Sequence, residues 1–294
     1  MTSGRIDAHC HFWSLSRGDY GWLRADDPLL APICRDFLPS DMAPLSTAAG
    51  IDRLVVVQAA PTEAESYYLL ALAADDDAIA GVVGWADLAA DDAPARIAQL
   101  AADSKLKGLR PMLQDLPDDD WINTAPTAAA LDALEANGLR IDALVLPRHL
   151  LPLERFVRSR PSLPIVIDHA AKPALGGSAG DPRHAQWAEG MQRLAAFPHV
   201  RCKLSGLLTE MRPDQRATPK VAADALRHTV DQLLAWFGPQ RLIWGSDWPV
   251  LTLAAGHADW LDVCGILLAD LSETERGAIY GGNATQFYGL EAAA

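Results

Sequence analysis

The sequence predicts an α/β chain folded as a single (β/α)8 TIM barrel over residues 1–294. Three observations carry this. Short apolar runs alternate about eight times with longer helical patterns rich in alanine and leucine. Runs such as "LVVV" and "IVID" are apolar on both faces, as in a parallel sheet covered by helices. No long linker breaks the alternation, so one closed barrel accounts for the whole chain. A doubly wound open sheet is the alternative, but no glycine-rich phosphate loop follows the first run.

In chain order, "RIDAHCH" is the first strand, and "RLVVVQAAP", "AIAGVVGWADL" and "LKGLRPML" supply the next three. "GLRIDALVL", "LPIVIDHA", "VRCKLSGL" and "RLIWGSDWP" complete the set. Between them "TEAESYYLLALAADD" reads as a helix opened by a capping box at Thr62 and Glu65. "APARIAQLAADS", "TAAALDALEANG" and "RHLLPLERFVRSR" follow, then "RHAQWAEGMQRLAAF", "PKVAADALRHTVDQLLAWFG" and "HADWLDVCGILLAD". Several of these stop at glycine or proline, as helices do.

Composition excludes some functions. A formal net charge of −13 opposes nucleic acid or an anionic membrane surface as a partner, since both require basic patches. Cys10, Cys34, Cys202 and Cys264 are scattered without CxxC spacing, which argues against a disulfide framework or a zinc ribbon. No basic-then-apolar leader and no bilayer-length apolar run are visible, pointing to a reducing, cytoplasmic setting.

In such a barrel, chemistry belongs at the carboxyl ends of the strands. Those ends carry His9 and His11, then Gln58, Trp85, Asp87 and Arg110, then His169 with Lys172, Lys203 with Ser205, and Asp247. Strand alternation places Asp7, His9 and His11 on one face and Ile6, Ala8 and Cys10 on the other. The same rule groups Ile165, Ile167 and His169, and groups Ile243, Gly245 and Asp247. Gly245 leaves room for a close approach, and Pro249 turns the chain after the aspartate. Three loops are long: an aromatic one at 12–38, an acidic one at 112–125 and a glycine-rich one at 172–182, expected to move.

"IDAHCHFW", "DHAAKP", "CKLSGL", "FGPQRLIWGSDWP" and "YGGNATQFYGL" together resemble the amidohydrolase superfamily over essentially the whole chain. Within it they resemble the sugar-acid lactonase branch, the L-fuconolactonase and L-rhamnonolactonase-like hydrolases, with pyrone-dicarboxylate lactonases more distant. The resemblance implies a metal-dependent-hydrolase-like barrel that opens a lactone to its hydroxy acid. The superfamily's carboxylated lysine or glutamate on strand four is missing, because that strand ends near Arg110, and strand five ends without a histidine. His9, His11 and Asp247, with His169, are left as candidate ligands for one weakly bound divalent metal such as zinc, which the branch is able to do without.

The expected roles follow. Asp247 is the general base and His169 positions the water, while His9, His11 and Arg110 face the developing oxyanion. Gln58, Lys172 and Lys203 would bind ring hydroxyls, and Trp22, Trp85 and Trp248 would stack on the ring. A single rim arginine favours a neutral sugar lactone over a dicarboxylated pyrone. Two other readings compete: a zinc-dependent hydrolase or decarboxylase of the same superfamily acting on a small carboxylated substrate, and a barrel that binds a sugar acid without turnover. Neither the particular sugar nor an oligomeric state is legible.

Overall fold

The computed structural model describes residues 4–177 and 181–290. Eight parallel strands follow one another in sheet order: β1 (Arg5–Cys10), β2 (Ile51–Val57), β3 (Ile79–Gly84), β4 (Leu106–Leu109), β5 (Arg140–Ala143), β6 (Ile165–Ile167), β7 (Val200–Leu204) and β8 (Leu242–Trp244). A parallel bridge between Cys10 and Trp248 joins the last strand's end to the first and closes the barrel. The eight strands thus match the eight expected runs.

The crossover helices are α1 (Pro39–Ala49), α2 (Glu63–Asp75), α3 (Ala93–Ala101), α4 (Trp121–Thr124), α5 (Ala128–Ala136), α6 (Leu150–Ser159), α7 (Pro182–Ala195) and α8 (Pro219–Phe237). After β8 come α9 (His257–Leu267), α10 (Glu273–Gly277) and α11 (Asn283–Tyr288). α1 is not legible as a helix in the sequence, because Pro39 and Pro44 disguise it. Pro39 occupies its first turn, where no backbone donor is needed, and Gly50 ends it at φ 62°. Of the capping box expected on α2, one half forms. Thr62 accepts from the Glu65 amide, but the Glu65 carboxylate turns away to accept from the amides of Ala59 and Ala60. It thereby ties the end of β2 to the helix that follows. Part of the expected mobile loop, residues 178–180, lies outside the described residues.

Two apolar layers form the core. Ile6, Ala8, Val55, Val57, Val83, Val166 and Ile243 fill the barrel interior, joined by Phe287 and Tyr288 of α11. The opposite strand faces, including Cys10, Val56, Ile165, Ile167, Cys202 and Leu204, pack under the helices. The interior layer stops short of the carboxyl ends, leaving that level to polar groups.

Candidate active site

Alternation fails on two strands, and each failure has a local cause. Between Asp7 and Cys10 the first strand advances three residues while β2 advances two, from Leu54 to Val56. This bulge breaks the parity. Ile6 and Ala8 face the interior and Cys10 the helices, while His9 and His11 both reach the barrel mouth. Asp7 therefore does not join the histidines. Its Oδ1 accepts from the amides of Ser246 at 2.8 Å and His9 at 3.2 Å, pinning the two strand ends together.

On β6 the inward residue is Val166, so Ile165 and Ile167 face outward and Asp168 takes the inward place expected of His169. His169 still reaches the mouth, because the chain enters a left-handed turn from His169 (φ 50°) to Lys172 (φ 50°). Left-handed non-glycine residues cost on the order of 1–2 kcal/mol each, so the surrounding contacts hold this turn in place. Gly206 makes room for it: a Cβ there would fall 2.5 Å from His169 Nδ1. Asp247, after β8, is also left-handed at φ 63°.

Asp247 is the hub of the mouth. Its Oδ1 lies 3.3 Å from His11 Nε2, 3.7 Å from His9 Nε2 and 3.8 Å from His169 Nε2. His11 Nδ1 faces the Val57 carbonyl oxygen at 2.7 Å, so that nitrogen donates, and Nε2 is left facing the carboxylate. A ring nitrogen and a carboxylate oxygen at 3.3 Å hold a proton or a cation between them. His169 Nδ1 is 2.9 Å from Ser205 Oγ. Burial pushes His169 down to about 4, against the raising influence of Asp247 and Asp168. Burial alone would raise Asp247, but His169, the His11 hydrogen bond and His9 outweigh it and hold the carboxyl well below its usual range. Near neutrality both shifts agree: the carboxylate is charged and the His169 ring is neutral.

Beneath the hub runs a buried ladder of charges. Lys203 Nζ, wholly enclosed, lies 2.5 Å from Asp142 Oδ2, 3.1 Å from Asp168 Oδ1 and 3.0 Å from His9 Nδ1. Tyr288 from α11 donates to Asp142 Oδ2 at 2.7 Å. Arg110 NH1 stands 3.5 Å from His9 Nε2 and 3.6 Å from Asp168 Oδ2. Burial opposes the charge on Asp168, yet the neighbouring Lys203 ammonium holds its carboxyl far below the ordinary value. Burial, then Lys203, push His9 far down as well.

A cavity of about 270 Å³ opens over the hub. Arg110, His11, His169 and Asp247 form its reactive wall, and Lys172, Gln114 and Asp115 add polar groups. Trp22, Leu30, Met112, Leu144 and Val250 make an apolar wall opposite, with Trp22 fixed by its indole bond to the Ala59 carbonyl at 2.7 Å. A wider depression of about 1300 Å³ lies elsewhere, beside Arg5, Lys220 and Arg276.

Four expected contact residues are corrected. Lys203 lies below the mouth in the ladder, since the inward parity of β7 buries it at mid-barrel level. Gln58 is fully buried and supports Arg110: its Nε2 donates to the Arg110 carbonyl at 2.8 Å, and Arg110 NH2 donates to the Gln58 carbonyl. Trp248 packs edge-on against Phe37 and Phe12 inside the fold. Trp85 stands away from the cavity wall, its amide held by Ser66 Oγ at 2.7 Å. Asp168, Asp142 and Tyr288 escaped the sequence reading. Counting inward from Val166 would have found Asp168, but nothing in the sequence tied Tyr288 to Asp142.

His9, His11 and Asp247 offer ligand atoms within 4.8 Å of one another. The lone pair of His11 and the carboxylate fit a divalent cation with an open position. At His9 the charges of Lys203 and Arg110 oppose one, so the set fits a weakly held ion.

A family profile described as Amidohydrolase matches residues 6–290. The chain is 46% identical over 294 residues to an L-fucono-1,5-lactonase of Burkholderia ambifaria, covering 98% of this chain and 96% of that one. It is 39% identical to an L-fucono-1,5-lactonase of Burkholderia multivorans, covering 99% and 97%. The fold superposes with a TM-score of 0.86 on a crystal structure of a Burkholderia multivorans amidohydrolase with bound zinc, 37% identical and covering 98% of this chain and 99% of that one. A closed parallel barrel with histidines on its first strand, an aspartate after its last, and a match to the profile from β1 to the end of α11 agree on one assignment: this chain belongs to the amidohydrolase family.

Proposed function

We infer that the protein is a hydrolase that opens a sugar-acid lactone, L-fucono-1,5-lactone or a related aldonolactone, to its hydroxy acid. The names of its relatives support this reading. The observation that carries it is the Asp247 carboxylate among three imidazoles at the base of a small cavity with one apolar wall.

In the proposed reaction a water held by His169 and Asp247 attacks the lactone carbonyl and gives its proton to Asp247. The carbonyl oxygen becomes an oxyanion facing His9 and Arg110, whose donors suit the developing charge, while both nitrogens of His11 are engaged by the Val57 carbonyl and Asp247. Collapse breaks the ring carbon–oxygen bond, and the departing alkoxide takes the proton back from Asp247. The atoms sum to lactone plus water. A positioned base contributes about 10²–10⁴-fold. Because Asp247 is a weak base, most of the remaining acceleration must come from oxyanion stabilisation. Lys172 and Trp22 are the remaining proposed ring contacts. A zinc ion bound by His11, Asp247 and His9 would polarise the carbonyl as a Lewis acid.

The decarboxylase-like alternative is not favoured. It would want a firmly held metal, and two cations oppose one at His9. The test is hydrolysis of an aldono-lactone panel by the chelator-treated protein, followed with a pH indicator while bound metal is measured. Rapid opening of deoxy-sugar or six-carbon lactones without metal supports the reading. Absence of turnover that zinc restores overturns the metal-free form, and absence under all conditions overturns the function.

A further inference from the structure

We propose that Lys203 is a positioning residue for this reaction: by donating to His9 Nδ1 it holds the imidazole as the Nε2–H tautomer, so that His9 presents a donor to the mouth. The inference rests on the lactonase reading for its catalytic consequence, and on geometry alone for the tautomer.

An ammonium has three donors and no acceptor. Lys203 Nζ is wholly buried and lies 3.0 Å from His9 Nδ1. It cannot swing away, because Asp142 Oδ2 holds it at 2.5 Å and Tyr288 fixes that oxygen from the far side at 2.7 Å. An ammonium can only donate, so at this contact Nδ1 is the acceptor and the ring's remaining hydrogen is on Nε2. Arg110 NH1 directs an N–H at Nε2 from 3.5 Å, but the lone pair goes to the nitrogen with the closer donor, which is Nδ1 at 3.0 Å from Lys203. Asp168 Oδ1 competes for that nitrogen from 3.3 Å, farther than Lys203, and among the described residues neither Asp168 oxygen has an aligned hydrogen bond. The hydrogen is thus left on Nε2, on the side of Asp247 Oδ1.

The two first-strand histidines are therefore anchored differently at the hub. His11 commits Nδ1 to the Val57 carbonyl and meets Asp247 through Nε2. His9 offers a hydrogen, directed where an oxyanion would form. The same arrangement explains why His9 is a poor metal ligand: coordination through Nε2 requires that hydrogen to leave, and Lys203 blocks its relocation to Nδ1.

The test is ¹⁵N spectroscopy of the full chain labelled at histidine, with the His9 signals assigned by their loss in His9→Gln. The wild-type spectrum decides the tautomer whether or not any ladder variant folds. A protonated Nε2 with an unprotonated, hydrogen-bonded Nδ1 is expected; a protonated Nδ1, or a doubly protonated ring, overturns the proposal. Lys203→Met should move the hydrogen to Nδ1, facing Asp168, and lower kcat by about 10–100-fold, the usual effect of losing a group that orients a site ligand, with KM little changed. Lys203→Gln, which keeps a donor, should restore the tautomer and part of the rate. A Lys203→Met protein that folds and keeps the Nε2–H ring overturns the proposal. If wild-type protein opens no lactone, the functional reading fails while the tautomer still stands or falls on the spectrum.

Discussion

A Cβ placed on Gly245 would lie 2.6 Å from the Cβ of His9 and 2.9 Å from its backbone nitrogen. The close approach expected at this glycine is made by the neighbouring strand. Gly245→Ala must displace the backbone of β1 or of the Asp247 turn. Overpacking of this kind costs about 1–3 kcal/mol, and misplacement near the chemistry by about 1 Å costs on the order of 10²-fold in rate. Denaturant melts and steady-state rates on Gly245→Ala should show both losses; a variant with wild-type kcat would contradict the proposed coupling of His9 and Asp247.

Asp247→Asn keeps the volume and hydrogen-bonding reach of the side chain but removes the base. We expect kcat to fall by about 10²–10⁴-fold with circular dichroism unchanged. Turnover within a few-fold of wild type would remove Asp247 from its role.

The low proton affinity of His169 makes a prediction about acid. With its pKa near 4, the ring stays neutral as pH falls through 6 and 5 and gains its proton only around pH 4. The rate should therefore hold from neutrality to about pH 5 and fall below it, with fold monitored in parallel by circular dichroism. An acid limb centred near 6.5, the value of an unperturbed histidine, would show that the site does not depress this ring.

Glu65 gives the opposite kind of pH dependence, in stability. Burial pushes its carboxyl up to about 7 from 4.5, with the Ala59 and Ala60 amides only partly offsetting it. Its folded pKa exceeds its unfolded one, so the folded state holds the proton more tightly. Stability should fall as pH rises from about 4.5 to 7, by about 3 kcal/mol if that shift is complete. Glu65→Gln should flatten this part of the profile while keeping an acceptor for the two amides. Urea midpoints at several pH values for both proteins decide the matter.

The strands were legible because residues such as Val55 to Val57 and Ile165 to Ile167 are buried on both faces, which leaves uninterrupted apolar runs. Asp247, His9, His11 and His169 were legible as a set because polar residues at strand ends have few other reasons to recur. Orientation was harder. The β1 bulge and the left-handed turn at His169 each break alternation, and neither is written in the residues themselves: Ala170 and Ala171 at φ 48° and 59° give no hint of it. Lys203 and Gln58 looked like rim residues because a strand's sequence does not reveal how deep in the barrel each residue lies. The Tyr288–Asp142 contact spans 146 positions and depends on how α11 meets the barrel.

The seam between the first and last strands carries little regular sheet. Its backbone links include the Cys10–Trp248 bridge, the bond from the Asp247 amide to the His9 carbonyl at 2.7 Å, and the bond from the His11 amide to the Trp248 carbonyl at 2.7 Å, beside the Asp7 side chain on the Ser246 amide. The proposed acid–base residues are thus the clasp of the ring, contributed by segments more than two hundred positions apart. A ribosome-bound chain that has not yet exposed residue 247 has nothing for His9 and His11 to meet, so it should be silent toward a lactone however well its first seven strands have formed. Onset of turnover during synthesis would then time the closing of the barrel.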